Sequence, residues 1–116
     1  MRYMLLIYGD EAADANAGPE EWQAVMEAHN AFGAEARERG MNPQGDALQP
    51  TSTATTVRRR NGALTTTDGP FAETREQLGG FYILECQNLD EAIEMAGKLP
   101  LGETDSVEIR PIMEFD

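Results

Sequence analysis

Apolar and polar positions along the chain follow two periods, one typical of strands and one typical of helices. Residues 3–8 are an unbroken apolar run that Gly9 and Asp10 end, as expected of a central strand buried on both faces. Residues 81–86 form a second apolar run, and residues 106–112 alternate apolar and polar side chains like a strand with one buried face. These three segments are predicted to be strands.

The helical period appears in two other segments. A long helix is predicted between Pro19, which suits a first helical turn, and Gly40, which suits the residue after a last turn. Its apolar stripe, which we expect to face the core, consists of Trp22, Val25, Met26, His29, Phe32 and Ala36. A shorter helix is predicted after Asn88, which has an acidic residue three positions later as in a capping box, and Pro100 closes it.

A β-hairpin is predicted in the middle of the chain. Asn61-Gly62 separates two β-prone segments, residues 54–60 and 63–67, and this dipeptide favours a two-residue type I′ turn. Because side chains alternate along a strand, pairing across that turn places Asp68 on the same face as Val57. We therefore expect the Asp68 side chain to point towards the body of the protein or into a pocket.

The order of elements predicts the fold. Residues 41–53 contain two prolines and a glycine and are predicted to form an irregular strand or loop. The order is then strand, long helix, hairpin region, strand, short helix, strand. Two β-α-β halves with an inserted hairpin predict one domain over residues 1–116, an α+β fold with a ferredoxin-like sheet and both helices on one face. The opposite face needs covering, so we predict a homodimer in which two such faces pack together.

Composition narrows the range of partners. The 116 residues carry a net charge of −12, which argues against nucleic-acid and anionic-membrane partners because both need a basic face. The single cysteine, Cys86, excludes an internal disulfide and lies in a predicted strand, where a buried hydrophobe is expected. No apolar run approaches the roughly 18 residues of a membrane span, and the first strand is too short for a signal-peptide core. We expect a cytoplasmic location.

Two groups of basic residues are candidates for a catalytic or ligand-binding role, and each group has two interpretations. His29, the only histidine, is either an imidazole at the core edge with hydrogen-bonded ring nitrogens, or a general acid/base facing the space between helix and sheet. A lone histidine does not indicate a metal site. Arginines 58–60 either protect an edge strand by their charge, or bind an anionic ligand through Arg59.

A long motif carries a family resemblance. Residues 68–81 read DGPFAETREQLGGF, residues 48–57 read LQPTSTATTV, and residues 2–8 read RYMLLIY. Together they resemble the YCII-related family in its DGPF-motif branch, over nearly the whole chain. The resemblance implies a dimeric α+β barrel and a largely unassigned activity. It also implies a suggested active-site His–Asp pair in the founding branch, and a frequent association of the DGPF branch with extracytoplasmic-function sigma factors.

The resemblance selects candidate site residues. Asp68 matches the motif aspartate and His29 is the only imidazole that can pair with it, so these two are the candidate catalytic residues. Arg75 stands where the family usually has lysine. The candidate ligand-binding residues are Tyr8, Arg59, Phe71 and Arg75.

Two functions are left open. The first is a small enzyme without cofactor or metal, which uses the His–Asp pair on a small anionic or carbonyl substrate. The second is a ligand-sensing or protein-binding regulatory module.

Overall fold

A computed structural model describes residues 1–115 of the chain. Its strands are β1 (Arg2–Gly9), β2 (Gln44–Ala47), β3 (Thr55–Arg60), β4 (Ala63–Asp68), β5 (Gln77–Glu85) and β6 (Ser106–Pro111). Its helices are α1 (Glu11–Asp14), α2 (Pro19–Glu38) and α3 (Leu89–Ala96), and a single 3-10 turn covers Thr51–Thr53. The main sheet has the order β2-β5-β1-β6 with all neighbours antiparallel, while β3 and β4 pair only with each other. This arrangement agrees with the predicted ferredoxin-like α+β fold with an inserted hairpin.

The helices cover one face of the main sheet, and the core lies between the helices and the sheet. Tyr3 and Leu5 of β1 point to that side and are buried, and Leu5 pairs with Tyr82 and Ile109 on the neighbouring strands. The core consists of Tyr3, Leu5, Phe32, Ala36, Met41, Leu84, Cys86, Ala92, Met95, Ala96 and Leu99. Burial of Cys86 confirms the expectation for the single thiol.

The other face of the main sheet corrects the prediction that β1 is buried on both sides. Met4 and Leu6 alternate with the core residues of β1 and pair with Ile83 and Phe81 of β5. All four side chains are only half-buried, because none of the helices described in residues 1–115 lies over them. We call these four residues the open-face cluster.

Helix α2 begins and ends where the sequence predicts. Pro19 occupies its first turn, and Gly40 takes a φ of +74°, which allows the Met41 N–H to reach the Ala36 carbonyl at 2.9 Å. The predicted stripe is only partly in the core, since Trp22 is 49% exposed and Met26 is 63% exposed. The apolar stripe of α2 therefore extends beyond the residues that are buried in the core of one chain.

Helix α3 is capped by Asn88 as predicted, in a variant of the capping box in which the acid bonds the N–H of the residue before the cap. The Asn88 side chain accepts a hydrogen bond from the Glu91 N–H at 2.9 Å, and the Glu91 carboxylate accepts one from the Gln87 N–H at 3.1 Å. Ala92 and Met95 on its inner side are buried. Helix α1, which the sequence did not predict, is a single turn capped by Asp10.

The hairpin has the predicted turn and register but not the predicted packing. Asn61 and Gly62 have φ of +51° and +81°, as a type I′ turn requires, and Asp68 shares a face with Val57. That face does not point inwards: Val57 is 59% exposed, Leu64 is 63% exposed, and Asp68 is exposed. The expectation that Asp68 faces the body of the protein is therefore wrong for the single chain, because the hairpin packs extensively on no other helix or strand of residues 1–115.

Candidate functional site

A cleft of about 230 Å³ lies between α2 and the edge of the main sheet formed by β2 and β5. Most of its lining is polar, and the lining includes His29, Arg37, Gly45 and Tyr82. Gly45 lets β2 come close to β5 here, since a Cβ at that position would lie 2.2 Å from the Phe81 carbonyl oxygen. A cleft of this size has room for a ligand of a few non-hydrogen atoms.

His29 and Tyr82 form the centre of the cleft. The Nδ1 atom of His29 lies 2.7 Å from the Tyr82 hydroxyl oxygen, a short hydrogen bond between α2 and β5. The two rings stack with centroids 5.8 Å apart, and the Phe32 ring packs on Tyr82 at 4.6 Å. Phe32 lies one turn after His29 on α2 and is buried, so the core holds the hydrogen-bonded pair from below.

Burial sets the charge state of both groups. It lowers the pKa of His29 from its ordinary value of 6.5, because removal from water disfavours the imidazolium ion. The same cause raises the pKa of the Tyr82 hydroxyl. At neutral pH the pair is therefore an uncharged imidazole beside an uncharged phenol. Within residues 1–115, the Nε2 atom of His29 has no hydrogen-bond partner, so this nitrogen is available to a ligand.

Arg37 supplies a positive charge at the same cleft. It follows His29 and Gly33 at intervals of four residues, which places the three on one side of α2. A Cβ on Gly33 would lie 3.3 Å from the Arg37 Nη1 atom, so the glycine leaves room for the guanidinium group. Arg37 forms no ion pair with another described residue, whereas Arg39 is paired with Glu35 and Glu94. The sequence analysis did not include Arg37 among the candidate residues. Its spacing of eight residues from His29, which places both on one side of a helix, could have indicated it.

Asp68, the other candidate catalytic residue, is not part of the hydrogen-bonded His29–Tyr82 pair at the centre of the cleft. Asp68 ends β4 opposite Thr55, and no hydrogen bond among the described residues joins its side chain to His29. The partner that the structure does show for His29 is Tyr82. A catalytic role for the His29–Asp68 pair stays a prediction.

The four candidate ligand-binding residues lie on β1, on β3 and in the loop between β4 and β5. Tyr8 lies on the open face of the main sheet, opposite the side of His29, and its hydroxyl lies 3.5 Å from Glu108 Oε1. Arg59 donates to the Gly62 carbonyl at 3.1 Å, within its own hairpin. Phe71 is 79% exposed, and Arg75 is exposed in the loop before β5. No hydrogen bond or ion pair among the described residues links these four side chains, and their role in ligand binding stays a prediction.

Comparison with known proteins gives the family. The YCII-related domain matches residues 1–116, which is the whole chain. The chain belongs to the YCII-related domain family. It is also 40% identical over 114 residues to the uncharacterized protein R00369 of Rhizobium meliloti (strain 1021), an alignment that covers 97% of this chain and 92% of the relative. The family resemblance is confirmed, and the assignment to the DGPF branch stays a prediction.

The loop after β4 begins with Gly69-Pro70-Phe71 of the DGPF motif, and we call it the DGPF loop. In this YCII-related domain it is hydrogen-bonded to Ala54 and to β3. The Gly69 N–H donates to the Ala54 carbonyl at 2.7 Å, and its own carbonyl accepts from the Thr56 hydroxyl at 2.8 Å. Arg58 donates to the Phe71 carbonyl at 3.0 Å. Gly69 has a φ of +98°, which only glycine adopts without strain. The loop geometry is thus fixed by backbone contacts, and Arg58 has a structural role.

Two further properties of this YCII-related domain bear on its chemistry. Among residues 1–115, no three His, Cys, Asp or Glu side chains are grouped as a metal ion needs. The helices described here are all too short or too polar to cross a membrane.

Proposed function

We propose that this YCII-related domain binds a small anionic carbonyl compound in the His29 cleft and moves a proton on it, without a cofactor. The observation that carries the proposal is the 2.7 Å hydrogen bond between His29 Nδ1 and Tyr82, which fixes an uncharged imidazole at the wall of the cleft. An imidazole whose pKa is lowered by burial is a base at neutral pH and can return the proton afterwards.

Each residue has one role in the proposed chemistry. Arg37 binds the carboxylate of the ligand by charge-assisted hydrogen bonds, because it lines the cleft without an ion-pair partner of its own. In the tautomer whose Nδ1–H donates to the Tyr82 hydroxyl oxygen, the Nε2 atom of His29 is unprotonated. It removes a proton from the carbon next to the carbonyl group, and the electron pair of that C–H bond moves onto the carbonyl oxygen as an enolate. Tyr82 holds the imidazole in place. The proposal does not depend on Asp68, whose participation remains a separate prediction.

Deuterium exchange tests the proposal without knowledge of the product. Small 2-oxo and 3-oxo acids are incubated with the protein in D₂O, and ¹H NMR follows loss of the proton next to the carbonyl group. We expect exchange with at least one compound, loss of exchange in His29→Gln, and weaker binding in Arg37→Gln. The matched control is Arg2→Gln, which removes the same charge outside the cleft, from an ion pair with Glu114. If no compound binds or exchanges, the proposed function is wrong.

A second function is favoured by the DGPF loop. Phe71 exposes a large apolar side chain on a loop held by two hydrogen bonds to β3 and one to Ala54, as a protein-binding surface would. In this alternative the domain senses a ligand and contacts a regulatory partner, in a setting like that of extracytoplasmic-function sigma factors. Ligand binding without proton exchange, unchanged in His29→Gln, would favour it over the enzyme.

We also propose that two copies form a homodimer through their open faces, in the manner of a dimeric α+β barrel in the cytoplasm. The open-face cluster supports this, since four large apolar side chains lie half-exposed at the centre of the main sheet. The net charge of −12 supports the expectation of no nucleic-acid or membrane partner.

A further inference from the structure

The β3–β4 hairpin protrudes from the domain as an arm. The radius of gyration is 16.2 Å, whereas a compact domain of this length has about 13 Å. An isolated two-stranded hairpin is marginally stable in water, and this one packs extensively on no other element of the described chain. The arm therefore lacks within its own chain the packing that such a hairpin needs.

One face of the arm is suited to burial. Cross-strand pairing places Val57, Arg59 and Leu64 on the same side, and both apolar residues are about 60% exposed. Arg60 belongs to the opposite side because side chains alternate along β3. The base of the arm is anchored, since the Gly69 N–H and carbonyl both bond to the β3 end of the hairpin. An anchored arm presents this face at a low cost in conformational entropy.

The charge of the arm is opposite to that of the rest of the chain. Residues 55–68, which form β3, the turn and β4, contain three of the nine Lys and Arg residues and one of the 21 Asp and Glu residues, Asp68 at the base of the arm. On the main sheet, Asp46 of β2 and Glu108 of β6 are exposed, and both side chains lie on the open face, as does the side chain of Arg110, which pairs with Met4. These carboxylates stand on the two edge strands, on either side of the open-face cluster.

We propose that the hairpin is an exchanged arm, which docks on the open face of a second copy of this chain. Val57 and Leu64 pack on the second copy at the margin of its open-face cluster, and Arg59 pairs with a carboxylate on an edge strand. A second copy fits because its open face offers apolar residues with a carboxylate on each edge strand, to which the apolar residues and Arg59 of the arm face are complementary. The inference rests on the proposed homodimer and adds the surface that each copy contributes.

Sedimentation velocity and light scattering over a concentration series test the arm. We expect Val57→Asp and Arg59→Glu each to weaken the dimer at least tenfold. Arg60→Glu, which makes the same charge change on the opposite side of β3, is the matched control and is expected to weaken it much less. Combining Arg59→Glu with Asp46→Arg or with Glu108→Arg restores dimerisation in one of the two pairs. Circular dichroism checks that each variant keeps the fold.

The outcomes of these experiments distinguish the proposal of an exchanged arm from the proposal of a homodimer. A wild-type protein that is monomeric at all concentrations overturns both proposals and leaves the arm for a different protein. A dimer that Val57→Asp and Arg59→Glu do not weaken overturns the arm alone. Equal weakening by Arg59→Glu and Arg60→Glu, or failure of both charge swaps, overturns the assigned face.

Discussion

Replacing Tyr82 by phenylalanine tests the centre of the candidate site with a single-atom change. The substitution removes the hydroxyl that lies 2.7 Å from His29 Nδ1 and keeps the ring that packs on Phe32. A hydrogen bond between uncharged groups contributes about 0.5–1.5 kcal/mol to stability. The pair is half-buried, so water replaces the lost partner in part, and we expect a loss of about 1 kcal/mol in the free energy of unfolding.

The measurement is urea-induced unfolding at pH 8, where His29 is uncharged in both the folded and the unfolded chain. Tyr8→Phe is the matched control because the Tyr8 hydroxyl is 3.5 Å from its partner and the contact is exposed. We expect the control to change stability by less than about 0.5 kcal/mol. Equal effects of the two substitutions would contradict the assigned hydrogen bond.

The titration of His29 gives the second part of this prediction. Its pKa in the folded chain lies below the ordinary value of 6.5, so the unfolded chain binds the proton first as the pH falls. Stability is therefore fully present above pH 6.5 and falls as the pH is lowered towards the folded pKa. Because burial is the cause of the shift, Tyr82→Phe is expected to keep a lowered pKa.

NMR measures this pKa directly, since the untagged chain has a single histidine and the ring signals need no assignment. A folded pKa at or above 6.5 would refute the uncharged, half-buried imidazole on which the proposed function depends.

Three other substitutions test the fold that positions the site. Gly45→Ala places a Cβ 2.2 Å from the Phe81 carbonyl oxygen, so β2 must move; we expect a loss of about 1–3 kcal/mol in urea unfolding and displaced His29 ring signals. Unchanged His29 signals would contradict the role of Gly45 in shaping the cleft. Asn88→Ala removes the cap of α3 and should cost about 1 kcal/mol by thermal unfolding, while Asn88→Asp, which keeps an acceptor, should cost less. Leu84→Ala opens a cavity at a fully buried position and should cost about 2–5 kcal/mol; a smaller loss would mean that the core collapses around the site.

Features encoded within a few neighbouring residues were predictable from the sequence. The Asn61-Gly62 turn and its register, the Asn88 capping box and the Pro19 helix start all depend on contacts between residues close in the chain. Each such signal has a physical cause that acts locally, such as a positive φ or an unpaired N–H group. The order of these elements was then enough to predict the ferredoxin-like sheet.

Features that depend on which surfaces meet were not predictable in the same way. A period of two shows that Asp68 and Val57 share a face, but it does not show whether anything covers that face. The same holds for Trp22 and Met26, which follow the helical period and yet lie outside the core of one chain. Apolar periodicity predicts a surface that needs burial and leaves open whether the same chain buries it. This is why three errors, in β1, α2 and the hairpin, all concern apolar residues that are exposed in the single chain.

His29 shows why the site itself needed the structure. The partner of its imidazole is 53 residues away in sequence, and the contact exists only because Phe32 docks α2 on β5 at that height. The two interpretations of His29 are also not exclusive. The hydrogen bond to Tyr82 confirms an imidazole at the core edge with one ring nitrogen bonded, and the same burial lowers its pKa, which keeps it unprotonated at neutral pH. A position at the core edge is thus compatible with the proposed acid/base role, because packing and the hydrogen bond fix the orientation of the imidazole while one ring nitrogen stays free for a ligand.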